Sequence, residues 1–321
     1  MDRATATSEK THVAMTSLLA AVCITAIKVV VGVATQSLGI LAEAAHSALD
    51  LIAAAATWWA VRAADRPADA EHLFGHGKIE NLSALFEVLL LLVTCGWIVY
   101  SAIERLLGGQ VHVTVGVWSF GVMVLSIVVD YSRSRALRRA AAKHNSQALE
   151  ADALHFETDI WSSLAVIAGL ICVAVGQRWP AAAMLKHGDA IAALAVAVIA
   201  ASVTLRMGLR TLRALTDAAP PGMEAAVRTA VEAVPGVVDC HSIRVRTAGP
   251  RVFIDVHMTV DGGKSVSEAH DMADMAESAV MRVIPNADIT IHTEPQASLP
   301  GTGPAQAPGA PTPASSDRSQ R

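Results

Sequence analysis

The run from Ser37 to Ala64 constrains this chain more than any other stretch. It is apolar and long enough to cross a bilayer, whose hydrocarbon core takes about 20 helical residues. Yet its first half carries Glu43, His46 and Asp50. His46 and Asp50 stand four residues apart, which puts them on one face of a helix. An ionisable group at membrane depth is costly and faces a partner, a cavity or an ion. The spacing recurs in His155-Phe156-Glu157-Thr158-Asp159, at the head of another long apolar run. Two His-x-x-x-Asp pairs supply two imidazole nitrogens and two carboxylates, a set suited to a divalent metal. The expectation is a metal-transport site built from His46, Asp50, His155 and Asp159. Hydrogen bonding between helices without metal is the plain alternative, and the matching of two pairs argues against it.

Composition agrees with a membrane chain: 53% hydrophobic and only 17% charged over 321 residues, with mean hydropathy +0.43. The net charge of −4 says nothing about nucleic acid, but no basic stretch is interleaved with aromatics, so no nucleic-acid partner is expected. The four cysteines form no C-x-x-C pair, so neither a disulfide framework nor a thiolate zinc site is expected. Residues 1–12 are polar and read as a cytoplasmic segment; the apolar run that follows is too long for a signal-peptide core and is read as a retained helix.

Six runs approach spanning length, at about 13–35, 38–62, 82–104, 112–132, 150–176 and 188–208. One side of such a six-span frame carries Arg3, Lys10, Arg62, Arg66, Lys78, Arg133, Arg135, Arg138, Arg139, Lys143, Arg206, Arg210 and Arg213. The other carries only Arg105, Arg178 and Lys186, so both termini are expected in the cytoplasm. The second and fifth spans then run antiparallel, and their His/Asp pairs fall near one depth, where one tetrahedral ion bridges them. Lys28 is expected to pair with Glu43, with Asp189 as a competitor; Asp130 either lines an inner vestibule or solvates a helix end. The loop after the second span holds Asp69, His72 and His76 at spacings of three and four, among the helix breakers Pro67, Gly75 and Gly77. Those residues are able to converge on a second ion; a solvated polar turn is the alternative.

From about Asp217 the composition turns soluble. Met223–Val234 reads as a helix, Val237–Thr247 and Arg251–Val260 as strands about a Gly249-Pro250 turn, Ser265–Ile284 as a capped helix and Ala287–His292 as a last strand. The order αββαβ implies a small α+β domain with its helices on one face of a sheet. The boundaries expected are a transmembrane domain over 13–215, a cytoplasmic domain over 216–297 and a disordered Pro/Gly-rich tail over 298–321.

The strings H-S-A-L-D, P-A-D-A-E-H-L-F-G-H-G-K and H-F-E-T-D, on a six-span frame with a cytoplasmic tail, resemble the cation diffusion facilitator family. The resemblance runs from about Val13 to Glu294. It implies homodimeric export of divalent metal from the cytoplasm in exchange for protons, with no organic cofactor and no enzymatic role, in what is expected to be a bacterial inner membrane. It also implies that Asp69, His72 and His76 form the loop site, and that the tail is a metallochaperone-like dimerisation domain. There His241, His257, His270, His292 and Glu294 match positions that bind regulatory metal in related transporters. Ser242 departs from the pattern by standing where a carboxylate would assist, with Cys240 and Asp239 flanking His241 instead. Lys78 and Asp217 match an interlock between membrane and tail domains. The His-Asp/His-Asp set resembles zinc-preferring members, which points to Zn²⁺ ahead of Fe²⁺, Mn²⁺, Co²⁺ or Cd²⁺. From other classes, a non-transporting sensor or scaffold has no need of intact intramembrane pairs. An intramembrane metalloenzyme needs an open coordination position, which four protein ligands do not leave.

Overall fold

A bilayer offers the backbone no water, so an apolar chain segment crosses it with its hydrogen bonds satisfied internally, as a helix. The computed structural model, which describes residues 3–36, 38–107, 117–178 and 188–296, turns the six runs into six long helices. These are α1 (Arg3–Thr35), α2 (Leu38–Ala64), α3 (Lys78–Leu106), α4 (Val117–His144), α5 (Gln147–Arg178) and α6 (Gly188–Leu215). Among the described residues, three stretches are long and apolar enough to cross a membrane on length and composition: Thr5–Thr35, Lys78–Glu104 and Ala193–Leu215. Of the others, α2 carries His46 and Asp50, α4 Asp130 and α5 His155 and Asp159. The first helix begins well before the apolar run, so the polar N-terminal residues are helical from Arg3 onward. Glu43 and Asp189 have side chains outside the described set, and the tail expected over 298–321 lies outside it altogether.

Small side chains let the helices approach. Ala14, Val61, Leu137, Ala140, Ala141, Ala148, Leu149, Ala153 and Phe156 form one buried cluster across α1, α2, α4 and α5. A second cluster, of Ala84, Val88, Leu91, Ala151, Leu154 and Met207, joins α3, α5 and α6. Both clusters enclose α5 near His155, so the helix carrying the second His/Asp pair is fixed on two sides.

The soluble part has the expected order: α7 (Met223–Glu232), β1 (Val237–Ala248), β2 (Arg251–Val260), α8 (Val266–Val283) and β3 (Ala287–Pro295), in a sheet of order β1-β2-β3. Val252 N–H bonds to Asn286 O at one end of β2 and Gln296 N–H to Val260 O at the other, so β2 and β3 run parallel and α8 is their crossover. Ser265 caps α8: its hydroxyl accepts from Glu268 N–H, and the Glu268 carboxylate accepts from Ser265 N–H at 2.8 Å. Burial along β2 alternates, with Val256, Met258 and Val260 buried and His257 half-exposed between them. Val227 and Val231 of α7 and Met272, Ala276 and Val280 of α8 supply the other buried positions. The chain divides into two compact units: the helices with Arg244–Ile254 and Asn286–Asp288, and most of α7, α8 and the rest of the sheet.

Candidate metal sites

The two His/Asp pairs meet. His155 Nε2 lies 3.1 Å from Asp50 Oδ1 and 3.5 Å from Asp159 Oδ2. His46 Nε2 lies 3.9 Å from Asp50 Oδ1 and 3.9 Å from Asp159 Oδ1. Ligand atoms of His46, Asp50 and Asp159 all fall within 4.8 Å of one another. One helical turn separates the members of each pair, so each helix presents both its groups to the gap between α2 and α5. Those three line a cavity of about 260 Å³ that also carries Lys28, Asp130 and Arg133, whereas His155 sits behind it, 6% exposed. Asp130 therefore faces the same cavity, 3.4 Å from Arg133 Nη1. Lys28 donates to Ser47 Oγ at 2.7 Å; its expected pairing with Glu43 or Asp189 falls on side chains outside the described set.

The loop after α2 brings its three residues together as well. Asp69 Oδ1 accepts from the backbone N–H of His72 at 2.7 Å and of Glu71 at 3.0 Å, a side-chain turn typical of aspartate. The same carboxylate lies 3.3 Å from His72 Nδ1 and 3.3 Å from His76 Nε2. The His72 N–H holds the Asp69 carboxyl below its ordinary 3.8. Gly75 supplies the positive φ of 77° that reverses the chain so that His76 faces Asp69. The donor set fits a metal, and His76 Nδ1 is buried without a hydrogen-bond partner among the described residues. At the loop's end Lys78 Nζ meets Asp217 Oδ1 at 2.8 Å.

In the soluble unit, adjacent strands place His241 (β1), His257 (β2) and Glu294 (β3) side by side. Glu294 Oε1 is 2.7 Å from His257 Nδ1, and Glu294 Oε2 is 3.3 Å from His241 Nε2. His292 Nε2 joins at 3.7 Å from Glu294. The hydrogen bond from His257 holds the Glu294 carboxyl below its ordinary 4.5. Three imidazoles about one carboxylate suit a borderline-soft divalent ion. His270 stands apart on α8, 73% exposed and 4.0 Å from Asp274. Cys240 turns away too: it is fully buried with Sγ 3.9 Å from Arg228 O, and burial pushes its thiol up. Next to it, Ser242 takes a φ of 51°, a kink in β1 beside His241.

Several buried polar groups escaped the sequence reading. Glu87 of α3 has no exposed surface and lies 3.3 Å from His155 Nδ1. Asp152, one turn before His155, is buried with neither oxygen hydrogen-bonded among the described residues. Lys10 is buried between Asp65 and Glu80 at 2.9 Å each, and Glu80 also accepts from the Ser146 hydroxyl. The signal for Glu87 was a carboxylate inside Leu85-Phe86-Glu87-Val88-Leu89, a stretch otherwise wholly apolar.

The model for the cation efflux transmembrane domain matches residues 14–216, and that for the cation efflux protein cytoplasmic domain matches residues 219–296. The chain is 32% identical to the cation-efflux pump FieF of Pectobacterium atrosepticum over 300 residues, covering 90% of this chain and 96% of that one. It is 32% identical to the FieF pump of Klebsiella pneumoniae over 269 residues, covering 83% and 86%. Among solved structures, the nickel form of a MamM CTD is 23% identical, with 24% of this chain and 100% of that one covered and a TM-score of 0.24.

Proposed function

The chain belongs to the cation efflux family, and on that premise we propose that it exports Zn²⁺ from the cytoplasm in exchange for protons, through His46, Asp50, His155 and Asp159. At the family level the protein is a divalent-cation efflux transporter and not an enzyme, integral to the membrane, with a cytoplasmic C-terminal domain. The observation that carries the finer reading is the approach of His155 Nε2 to both Asp50 and Asp159 across the α2–α5 gap. Two imidazoles and two carboxylates are a ligand set that suits four-coordinate, borderline-soft Zn²⁺ ahead of the harder Mn²⁺ and Fe²⁺.

Proton coupling follows from the donors. A metal ion takes an imidazole lone pair and ionised carboxylates, so binding expels protons and protonation expels metal. Imidazole changes charge between about pH 5 and 8, so an acidic outer side favours release. The cavity beside His46, Asp50 and Asp159 gives the hydrated ion a place to shed water before it meets the buried His155. The Asp69/His72/His76 and His241/His257/His292/Glu294 clusters would hold resident metal that supports the loop and the cytoplasmic domain, which we assign to homodimer assembly in the bacterial inner membrane. Lys78 and Asp217 would tie α3 to the segment after α6.

The test is metal flux into proteoliposomes across a pH step, for wild type and Asp50→Ala. Zn²⁺ uptake driven by the proton gradient and lost in the variant is the expected result. Faster Fe²⁺, Mn²⁺, Co²⁺ or Cd²⁺ uptake would reassign the cargo. Zn²⁺ binding without flux would leave a sensor or scaffold.

A further inference from the structure

An imidazole ligates metal through one nitrogen and leaves the other to be satisfied elsewhere. For His155 the site-facing atom is Nε2, 3.1 Å from Asp50 Oδ1. Its other nitrogen, Nδ1, points away from the cavity to α3, where Glu87 Oε2 lies at 3.3 Å. Both atoms are buried, and neither makes a hydrogen bond among the described residues; the 3.3 Å approach is an ion-pair contact. A buried polar atom left unpaired costs about 1–3 kcal/mol, so two that face each other at this range are each other's remedy. The far side of Glu87 is fixed as well: Thr57 of α2, itself fully buried, donates its hydroxyl to Glu87 Oε1 at 3.3 Å. A line of contacts thus runs from α2 through α3 to the metal-facing ring on α5.

We infer that Glu87 is a positioning residue for the transport site: it holds the proton of His155 on Nδ1, and so keeps the Nε2 lone pair aimed at the cation. The inference rests on the transport-site reading above. A carboxylate is an acceptor only, so it accepts Nδ1–H and disfavours the tautomer in which Nε2 carries the proton. With the wrong tautomer, Nε2–H would donate to Asp50, and the two groups would satisfy each other instead of the metal. The effect is on binding more than on turnover, because an ion that has displaced the proton meets the same four ligands. Loss of such an outer contact typically weakens metal binding about 10–100-fold.

The experiment compares wild type, Glu87→Leu, Glu87→Gln and His155→Ala in full-length protein reconstituted in proteoliposomes, with Zn²⁺ as probe. KM and kcat for uptake are measured alongside nitrogen NMR of histidine-labelled protein, the His155 ring being assigned by its loss in His155→Ala. Glu87→Leu is expected to raise KM about 10–100-fold with kcat changed far less, and to shift the His155 proton toward Nε2. Glu87→Gln is expected to recover most of both, since the Thr57 hydroxyl can accept its NH₂ and turn its carbonyl to Nδ1. Unchanged KM and tautomer in Glu87→Leu, or a Gln variant as impaired as Leu, would overturn the assignment. Should Glu87→Leu fail to fold, retention of the Nδ1–H signal in Glu87→Gln supports it and loss of that signal overturns it. Wild-type flux in His155→Ala would instead remove the transport-site reading itself, which separates the two failures.

Discussion

Replacement of Lys10 tests the packing logic of the helical unit directly. Its ammonium is 2% exposed and touches Asp65 and Glu80 at 2.9 Å each; Glu80 has no exposed surface and Asp65 keeps 12%. At an effective dielectric of about 20, each contact represents roughly 6 kcal/mol of Coulomb attraction, most of it offset by the cost of taking three charges out of water. The net worth of the cluster is therefore small, whereas the cost of half-dismantling it is not. Lys10→Met keeps an unbranched side chain, one atom shorter, and leaves the Glu80 carboxylate with the Ser146 hydroxyl as its only side-chain donor among the described residues. Removing one partner of such a buried pair costs about 3–5 kcal/mol. Adding Glu80→Gln removes the stranded charge while leaving an acceptor for Ser146, so the double variant should regain at least half of the loss. The assay is the free energy of unfolding of purified full-length protein in mixed micelles, by SDS titration, for wild type, both single variants and the double. A Lys10→Met variant within about 0.5 kcal/mol of wild type, or a double variant whose loss is the sum of the singles, would refute the reasoning.

Four further outcomes are expected. Ser265→Ala removes the cap of α8 and should cost about 0.5–2 kcal/mol of unfolding free energy by denaturant titration. The partner of that cap, Glu268, has its pKa lowered from its ordinary 4.5, first by the Ser265 N–H. Its contribution is thus fully present above 4.5 and fades as pH falls through the lower folded value; Glu268→Gln should flatten that acid limb, and an unchanged limb would exclude the contact. Gly77→Ala would set a Cβ 2.2 Å from the Ala248 carbonyl oxygen, so thermal unfolding should show a loss of about 1–3 kcal/mol, and an unmoved midpoint would mean the close approach is not kept. Zn²⁺ at 100 times its dissociation constant should stabilise the wild-type protein by about 2.7 kcal/mol per site, reversed by chelator, with a smaller gain in His257→Ala.

The parts legible in the sequence were those set by local spacing. A four-residue interval puts His46 with Asp50, and His155 with Asp159, on single helix faces whatever surrounds them. Topology then aligned the two helices, and the structure closes the gap to 3.1 Å between His155 and Asp50. Alternation and turn chemistry likewise gave β1 and β2 nearly to the residue, while β3 runs on past the expected His292 to Pro295. Glu87 and Lys10 escaped for the opposite reason. Their partners lie 68 and 70 positions away, as the residue numbers Glu87/His155 and Lys10/Glu80 show, and no local interval encodes those meetings. His270 marks a third case: sequence order places it between His257 and His292, while the parallel β2–α8–β3 connection lifts it off the sheet that unites the other ligands.

That last separation bears on how the small domain handles metal. His241, His257 and Glu294 come from three neighbouring strands, so the cluster exists only once the sheet has formed in the order β1-β2-β3. Metal held there would bind the folded sheet and not the unfolded chain, and mass action would then draw the domain toward its folded state. The proposed transport site would work under the reverse constraint. Its four groups sit on two helices, each with its backbone hydrogen bonds satisfied internally, so metal need not form either helix. A cargo site requires a cation to depart as readily as it arrives, and ligands carried by two internally bonded helices suit that, whereas ligands carried by neighbouring strands of one small sheet favour retention.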